Sequence, residues 1–382
     1  MESLALSLTQ IQSMFANTYQ GRSVLVTGHT GFKGSWLCEW LLALGAKVSG
    51  LALAPENDQP LYNLLSLSSR LATDLRQDIR DLSSLVKAIA DLKPDFIFHL
   101  AAQPLVRLSY DIPVETFATN VMGTAHVLEA IRLSGHACTV VVITTDKCYE
   151  NREWLHSYRE EDAMGGYDPY SASKGCAELV VAAYRRSFFS SPDSKVRLAS
   201  ARAGNVIGGG DWATDRIIPD CIRALREKKA IPVRNKTATR PWQHVLEPLS
   251  GYLWLGAGLS GNVDLKIPPS TLASGFNFGP ALTSNRTVAE LVQELLIHFP
   301  EGVWEDRSDP HAPHEASKLN LAIDKAFHLL QWQPVWNFKR TLAETASWYS
   351  SAPTLELAPE ITRQQILRYS SSGQEHGLPW AI

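Results

Sequence analysis

The 382-residue sequence has few of the features that mark secreted, membrane-spanning or nucleic-acid-binding proteins. Its five cysteines are odd in number and form no C-x-x-C pair, so neither a disulfide framework nor a zinc site is expected. No apolar run is long enough to span a bilayer, and the N-terminal segment lacks the basic start and continuous apolar core of a signal peptide. A net charge of -3 provides no basic field for nucleic acid. These absences favour a cytoplasmic globular protein that has no membrane or nucleic-acid partner and no metal.

Short apolar segments alternate with helical patterns along the first half of the chain. The segments are nearly continuous apolar runs, as expected of strands that are buried on both faces of a parallel sheet. The sequence therefore predicts an α/β protein with a Rossmann-type, doubly wound parallel sheet in a first domain at 1–204. A smaller, mixed α/β lobe is expected at 205–382, with some segments returning to the first domain. Strands are predicted at 23–27, 47–53, 96–100, 139–143 and 196–201, and helices at 113–133, 170–188, 216–229, 245–259, 287–299, 321–330 and 340–349.

A glycine-rich turn joins the first predicted strand to the first predicted helix, with the sequence Gly-His-Thr-Gly-Phe-Lys-Gly at 28–34. Gly28 permits a tight turn, Gly31 lets the backbone approach a pyrophosphate, and Gly34 lets the helix pack close to the strand. The helix N-terminus adds free N–H groups and a positive dipole for the anion. A plain strand-to-helix turn is the alternative, but the surrounding strand and helix favour a dinucleotide site.

The cofactor is expected to be NAD, although one feature weakens the choice over NADP. The second strand and the residues after it, at 50–55, offer no acidic residue for the adenosine ribose, and Lys33 suits either a 2′-phosphate or a place near the pyrophosphate. The residues predicted to contact the cofactor are Gly28, Gly31, Phe32, Lys33, Gly34, Asp78, Ile79, Leu100, Ala101, Ala102, Gln103, Asn120, Tyr170 and Lys174.

Tyr170 and Lys174, in the sequence YSASK, predict proton chemistry beside a nicotinamide. Free tyrosine has a pKa of about 10, so a tyrosine base needs a cation to stabilise its phenolate. Lys174 lies one helical turn after Tyr170 and shares its face, and it can also hold the nicotinamide ribose. Thr145, at the end of the preceding strand, is expected to hydrogen-bond the same substrate hydroxyl. Such a group removes a hydroxyl proton while hydride leaves the adjacent carbon.

Asp146 and Lys147 add an acid and a base beside Thr145. Once an alcohol is oxidised to a ketone, the neighbouring C–H becomes acidic. Lys147 would then remove that proton while Asp146 protonates a departing hydroxyl, so the pair suits elimination of water. A local ion pair at the end of the strand is the alternative. The predicted catalytic residues are Thr145, Asp146, Lys147, Tyr170 and Lys174.

These motifs resemble the extended short-chain dehydrogenase/reductase family, and within it the nucleotide-sugar 4,6-dehydratases that act on CDP-glucose. The resemblance extends over about 21–349 and is most specific at 144–154, 164–178, 201–212 and 240–245. Related enzymes for dTDP-glucose usually have Thr-Asp-Glu where this chain has Thr-Asp-Lys. The resemblance implies an NAD-binding first domain, a nucleotide-sugar-binding lobe, and a lyase that oxidises C4, eliminates water across C5 and C6, and returns hydride to C6. It also implies deoxysugar biosynthesis for lipopolysaccharide O-antigen, and a homodimer or dimer of dimers formed by helices at 113–133 and 168–188.

The substrate contacts that the resemblance implies lie mostly after residue 204. Asn205, Arg216 and Arg240 are expected at the diphosphate, since arginine pairs two oxygens at once, and Arg234 is a further candidate. His311, His314 and Glu315 are candidates for the nucleotide or the sugar. Three other functions remain open: a UDP-N-acetylhexosamine 4,6-dehydratase, a nucleotide-sugar 4-epimerase, and a non-catalytic dinucleotide-sensing protein. The intact Tyr170 argues against the first and third, and the Asp146–Lys147 pair against the second.

Overall fold

The computed structural model describes residues 8–55, 60–308, 318–351, 354 and 356–382. The strands of this part of the chain are β1 (Ser23–Thr27), β2 (Lys47–Ala52), β3 (Thr73–Arg76), β4 (Phe96–His99), β5 (Cys138–Ile143), β6 (Val196–Arg202), β7 (Val206–Ile207), β8 (Ile231–Val233), β9 (Thr239–Pro241), β10 (Gln243–His244), β11 (Gly275–Asn277), β12 (Asn285–Thr287) and β13 (Trp304–Asp306). The α-helices are α1 (Leu8–Ser13), α2 (Phe32–Ala43), α3 (Leu61–Leu64), α4 (Leu82–Leu92), α5 (Val106–Asp111), α6 (Pro113–Phe117), α7 (Gly123–Ser134), α8 (Pro169–Phe188), α9 (Ile217–Arg226), α10 (Leu246–Ser260), α11 (Val288–Leu296), α12 (Asp324–Leu330), α13 (Phe338–Ser351) and α14 (Ala358–Glu375).

A seven-stranded parallel sheet forms the centre of the molecule, in the order β11-β6-β5-β4-β1-β2-β3. Successive residues of a strand enter different cores, as the two-residue period requires: Val24 and Val26 lie in one buried cluster and Leu25 lies in the other. Helices α2 and α10 contribute to the first cluster, whereas α4, α7 and α8 contribute to the second. The predicted doubly wound α/β class is confirmed.

The part of the chain after residue 204 does not form one continuous sheet. Three short pairs lie there, β7 with β10, β9 with β12, and β8 with β13, while β11 returns to the edge of the main sheet beside β6. Sequence periodicity could not predict these strands, because a segment of two or three residues is too short to show the alternation that identifies a strand. The division into domains at residue 204 stays a prediction.

The last stretch of the chain, 373–382, has no clear periodic pattern in the sequence, yet it is ordered and packed into the core. Helix α14 runs to Glu375 and a short 3-10 turn follows at Pro379–Ala381. Trp380 is fully buried between the rings of Phe15 and Tyr369, with ring centroids 5.6 Å and 5.5 Å away. A single tryptophan that stacks on distant residues leaves no periodic signature in the local sequence.

Three further observations concern membrane-spanning helices, the cysteines and three of the candidate substrate residues. None of the helices in the described ranges is both long and apolar enough to cross a membrane. All five cysteines are free thiols. His311, His314 and Glu315, named above as candidates for the nucleotide or the sugar, lie outside the described residues.

Candidate active site

A cavity of about 690 Å³ opens at the carboxyl ends of the central strands. The residues that follow β1, β4, β5 and β6, namely Gly28, Leu100, Thr145 and Ala203, all line it. Parallel sheets bind ligands at this edge, where the strand order reverses. The glycine turn and the five predicted catalytic residues therefore share one cavity.

The glycine turn has the geometry of a dinucleotide cradle. Gly28 has a φ of +75°, and an added Cβ there would lie 2.7 Å from the Ala101 nitrogen. At Gly34 an added Cβ would lie 2.8 Å from the His29 Cα, so glycine is needed for helix α2 to start this close to β1. Gly31 is the N-cap of α2, and an added Cβ there would make an ordinary contact of 3.4 Å with the Gly28 carbonyl oxygen. Gly31 and the first residues of α2, which carry the free N–H groups, line the cavity. These residues fit a bound pyrophosphate.

A polar cluster lies behind the turn, on the side where the second strand lacks an acidic residue. The buried His29 ring is 2.8 Å from Oδ1 of Asp74 on β3, and Arg76 donates a hydrogen bond of 2.7 Å to the hydroxyl of Tyr62, which in turn donates to Asp74. Burial lowers the pKa of His29, so the ring is neutral near pH 7. Gly50 makes room for this ring, since an added Cβ would overlap it. The cluster fixes the base of the turn against β2 and β3.

The tyrosine and lysine are presented at the start of helix α8. Asp168 caps this helix by accepting from the Ser171 N–H at 2.9 Å, and Pro169 occupies the first turn. Tyr170 and Lys174 follow on one face, buried to 8% and 7% exposure, and both line the cavity. Thr145, two residues after the end of β5, lines the same cavity.

Lys174 was expected to stabilise the Tyr170 phenolate, but other groups have the larger effects on the pKa of this phenol. Burial raises the pKa of Tyr170 to about 12, the hydrogen bond to Thr145 lowers it, and Arg216 is the cation with the largest lowering effect on it. Burial also lowers the pKa of Lys174 to about 8, opposed chiefly by the Glu178 carboxylate. Within the described residues, desolvation therefore outweighs the cations around the phenol.

Asp146 and Lys147 form no ion pair within the described part of the chain, which argues against the purely local alternative. Asp146 is fully buried and accepts a 3.0 Å hydrogen bond from the Thr145 hydroxyl through Oδ1. Its other oxygen, Oδ2, has no hydrogen-bond partner among the described residues and lies against Gly204, where any Cβ would overlap the carboxylate. Lys147 is half-buried and lines the same cavity. A buried carboxylate oxygen without a partner is poised for a ligand group.

A buried carboxylate links helix α8, which carries Tyr170 and Lys174, to strand β5, which precedes Thr145 and Asp146. Glu178, one further turn along α8 from Lys174, accepts hydrogen bonds from the hydroxyls of Thr144 and Ser200, the latter at 2.7 Å. Arg202 on β6 pairs with both oxygens, Nε to Oε1 at 2.9 Å and Nη2 to Oε2 at 3.0 Å. We refer to Glu178 with Thr144, Ser200 and Arg202 as the Glu178 clamp, since it ties helix α8 to the ends of β5 and β6.

Lys33, which was considered for a 2′-phosphate or for a place near the pyrophosphate, lies near the catalytic residues. Its ammonium is 5.8 Å from the centre of the Tyr252 ring on α10, and burial, with Arg216 and Lys174 nearby, lowers its pKa to about 7. Asp146 acts in the opposite direction. The hydroxyl of Tyr252 is buried and has no hydrogen-bond partner among the described residues.

The predicted substrate residues divide into those that reach the cavity and one that does not. Asn205, Arg216 and Arg240 line it; Asn205 has a φ of +35°, and Arg216 is held by Asp211 at 2.9 Å. Arg234 does not line the cavity; its side chain is 44% exposed and pairs at 2.6 Å with Asp215, which does line it, so a substrate contact of Arg234 stays a prediction.

Two predicted cofactor residues also lie behind the cavity wall rather than on it. Asn120, fully buried, accepts from the Gln103 N–H at 2.8 Å and donates to the Ser173 hydroxyl at 2.9 Å. Gln103 turns its own side chain to Thr116, at 2.9 Å. Their polar groups hold the loop after β4 against α8, and the contact of both residues with the cofactor stays a prediction. The remaining predicted cofactor residues line the cavity.

Sequence reasoning missed several residues that shape this site. Glu178 had a usable signal, because Tyr170, Lys174 and Glu178 recur at intervals of four and so share one helix face. Gly204 and Tyr252 had none, since their contacts with Asp146 and Lys33 join segments that are far apart in the chain. Asp211 pairs with Arg216 across a loop, where no regular spacing marks the contact.

Comparison with known proteins agrees with this geometry. The model of the family described as GDP-mannose 4,6 dehydratase matches residues 25–345. The chain belongs to this family. It is 47% identical to a CDP-glucose 4,6-dehydratase of Salmonella typhimurium over 88% of this chain and 92% of that protein. It is 30% identical to a CDP-paratose 2-epimerase of Salmonella typhi over 86% of this chain and 99% of that protein.

The fold of this family member also matches solved structures. A dTDP-glucose 4,6-dehydratase from Streptomyces venezuelae, solved with NAD bound, superposes with a TM-score of 0.70 at 24% identity, covering 86% of this chain and 96% of that one. A UDP-glucose 4-epimerase from Thermotoga maritima, solved with UDP-glucose, gives a TM-score of 0.72 at 20% identity, covering 86% and 98%.

Proposed function

We propose that the protein is an NAD-dependent lyase that converts CDP-D-glucose to CDP-4-keto-6-deoxy-D-glucose and water. The observation that carries the proposal is the meeting of Tyr170 and Thr145-Asp146-Lys147 with the glycine turn in one cavity. The 47% identity to a CDP-glucose 4,6-dehydratase supports the nucleotide and the sugar. An epimerase would need the tyrosine but would leave Asp146 and Lys147 without a task.

The cofactor would be held by the glycine turn and by the residues after β3 and β4 that line the cavity, including Asp78, Ile79 and Ala101. When bound, NAD accepts hydride from the sugar C4 and returns it to C6. The Gly31 N-cap and the start of α2 would face the pyrophosphate. Lys174 would hold the nicotinamide ribose.

The proton steps fall to the catalytic residues. Tyr170, which shares the cavity with Thr145, takes the proton of the C4 hydroxyl while C4 becomes a ketone. The ketone acidifies C5–H, and Lys147 removes that proton. Asp146 protonates the C6 oxygen, which leaves as water, and Lys147 then returns its proton to C5. Burial of Asp146 and Tyr170 keeps bulk water away from these transfers.

Asn205, Arg216 and Arg240 would bind the diphosphate, within a substrate lobe formed mainly by residues 205–382. Arg216 is well suited because Asp211 orients its guanidinium and raises its pKa, which keeps it charged. Cavity-lining position supports all three assignments.

The decisive experiment incubates the purified protein with CDP-glucose and NAD in deuterated water. We expect a 4-keto-6-deoxy product that carries deuterium at C5. Lys147→Ala should slow C5 exchange far more than C4 oxidation, because only the second proton transfer needs the amine. Inversion at C4 without loss of water would identify an epimerase instead, and cofactor binding without turnover of any nucleotide sugar would identify a sensor.

We also propose that the protein is a cytoplasmic homodimer, or a dimer of such dimers, serving deoxysugar synthesis for O-antigen. The neighbouring helices α6, α7 and α8, with the turn between α6 and α7, carry apolar side chains that are at least 37% exposed: Val114, Phe117, Met122, Leu133, Leu179 and Phe188. A contiguous apolar face of this kind suits a subunit interface. Sedimentation of the protein and of Leu179→Glu tests it, since the charge should produce monomers.

A further inference from the structure

A buried row of polar side chains connects the glycine turn to the start of helix α8. His99, the last residue of β4, lies at its centre and is 2% exposed. Its Nδ1 is 2.7 Å from the hydroxyl of Thr27, at the end of β1, and its Nε2 is 3.1 Å from the hydroxyl of Thr124 on α7. Beyond Thr124 the row continues through Asn120 and Ser173. We refer to these five residues as the His99 network.

The donors and acceptors of the His99 network can be assigned from its hydrogen bonds. The Thr124 hydroxyl donates to the Asn120 carbonyl oxygen at 2.8 Å, so it accepts from His99, whose Nε2 carries the proton. Burial lowers the pKa of His99 to about 3, so the ring is neutral and its Nδ1 accepts from the Thr27 hydroxyl. Thr27 in turn accepts from the Ala101 N–H at 3.2 Å. His99 is therefore a neutral histidine in one defined tautomer, with both ring nitrogens in use.

One end of the network supports the loop that follows β4. Ala101 lines the cavity, and an added Cβ on Gly28 would lie 2.7 Å from the Ala101 nitrogen. Thr27 directly precedes Gly28, and its hydroxyl accepts from that same nitrogen. The His99 network therefore fixes the glycine turn against this loop, and both of them line the proposed cofactor site.

The other end of the network lies on helix α8, within the proposed tyrosine–lysine pair. Asn120 donates through Nδ2 to the Ser173 hydroxyl at 2.9 Å, and this hydroxyl donates to the Tyr170 carbonyl oxygen at 2.7 Å. Ser173 is fully buried and directly precedes Lys174. Asn120 itself lies in a π-helical turn at Ala118–Met122, between α6 and α7, and such turns are frequent at functional sites. The first turn of α8 is therefore tied to the same hydrogen bonds that hold the glycine turn.

We propose that His99 is a positioning residue that sets the distance between the cofactor-binding loop and the Tyr170–Lys174 pair. The proposal rests on the dehydratase function, since it concerns the hydride and proton transfers assigned to this site. Neither His99 nor Thr124 is among the described residues that line the cavity, so both act through other residues. Loss of a link should let α8 shift relative to the glycine turn, and a displacement of about 1 Å at a catalytic group costs roughly a hundredfold in rate.

The test removes one link at a time in the NAD-loaded protein. Thr124→Val keeps the side-chain shape but removes the hydroxyl, and His99→Leu removes both ring nitrogens. In each variant kcat for CDP-glucose should fall between about tenfold and a hundredfold. The dissociation constant of CDP, measured by calorimetry, should change by less than about twofold, because the proposed diphosphate residues lie on distant segments. Thr124→Ser and His99→Gln restore a donor and an acceptor and should recover most of the rate.

The matched control is Thr345→Val on α13. Thr345 is fully buried and, like Thr124, donates to the carbonyl oxygen four residues earlier at 2.8 Å. It belongs to neither the His99 network nor the described lining of the cavity. The two valine variants should lose similar free energies of unfolding, whereas only Thr124→Val should lose rate.

Hydrogen exchange in the protein without NAD gives a second measure that needs no turnover. The backbone amides at 171–174, in the first turns of α8, should exchange faster in Thr124→Val and His99→Leu than in the wild type. They should keep the wild-type rate in Thr345→Val, since α13 carries no part of the network.

The combination of rates decides the outcome. Loss of kcat in Thr124→Val and His99→Leu, with faster exchange in α8 and recovery in the restoring variants, supports the proposal. Equal losses of kcat in Thr124→Val and Thr345→Val would overturn it, because the effect would then follow overall stability. Unchanged kcat, a loss confined to CDP binding, or unaltered exchange in α8 would overturn it as well. If His99→Leu does not fold, Thr124→Val decides alone.

Failure of the proposed function would look different. The wild-type protein would then form no keto-sugar from CDP-glucose, which refutes the dehydratase assignment. Exchange at 171–174 in the same variants would still show whether the His99 network holds α8.

Discussion

Gly204 gives the sharpest test of how the site holds its acid. An alanine Cβ at this position would overlap Oδ2 and Cγ of Asp146 and would lie 2.9 Å from Oδ1, whereas ordinary contacts begin at 3.4 Å. The backbone at Gly204 does not have a positive φ, so the side-chain collision is the main effect of Gly204→Ala. Relief of the overlap requires Asp146 to retreat, and a displacement of about 1 Å in a catalytic group costs roughly a hundredfold in rate.

The assay measures kcat/KM for dehydration of CDP-glucose, together with the free energy of unfolding. Gly204→Ala should lower kcat/KM by about a hundredfold, and overpacking should lower the free energy of unfolding by about 1–3 kcal/mol. The matched control is Gly279→Ala, where the added Cβ would lie 3.3 Å from the Leu321 Cβ, just inside ordinary contact, so both quantities should change far less than in Gly204→Ala.

A double-mutant cycle tests the cause. In an Asp146→Ala background the carboxylate that collides is absent, so Gly204→Ala should add almost nothing to the loss of rate or stability. The reasoning would be refuted if the glycine change cost the same factor with and without Asp146, or if it left the wild-type rate intact.

Three further outcomes follow from buried charges. Glu178→Gln should destabilise the fold by about 3–5 kcal/mol in chemical unfolding because it leaves Arg202 unpaired. Adding Arg202→Met should recover part of that loss. Glu178→Gln should also move the alkaline limb of the pH–activity profile to lower pH, since Glu178 raises the pKa of Lys174. In the wild type, unfolding free energy should rise from pH 7 towards 10.5, because the folded state releases the Lys33 proton near 7 while the unfolded chain still binds it; Lys33→Met should reduce this rise. Burial raises the pKa of Glu247 to about 7, so the free energy of unfolding should fall as the pH rises from 4.5 to 7, and Glu247→Gln should flatten that slope. If Lys33→Met or Glu247→Gln left the slope unchanged, the pKa given for that residue would be contradicted.

Local patterns in the sequence were enough to predict the strands and the helix that carry the site residues. The strand ends at Thr27 and Ile143 and the helix over 169–188 follow from apolar runs, glycine placement and the Asp168-Pro169 start, all of which act within a few residues. The meeting of the turn and the catalytic residues also follows, because the carboxyl ends of parallel strands share one edge.

Other features depend on contacts between distant segments and so left no local pattern. Asn120 and Gln103 were predicted to touch the cofactor, yet their polar atoms hold each other and Ser173. The high pKa of Tyr170 results from burial by the whole fold, which the spacing of Tyr170 and Lys174 does not report. Arg234 has the right residue type, but it does not itself line the cavity and pairs with Asp215, which does.

The Glu178 clamp bears on how such an enzyme can acquire new substrates. One carboxylate fixes the spacing between the phenol-bearing helix and the acid-bearing strand end, so the two can hardly drift apart while side chains elsewhere change. Arg216 and Arg240, which are proposed to bind the diphosphate, lie on segments that are not part of the Glu178 clamp. Redesign for a different nucleotide should therefore succeed by rebuilding those segments alone, with the reaction machinery carried over intact.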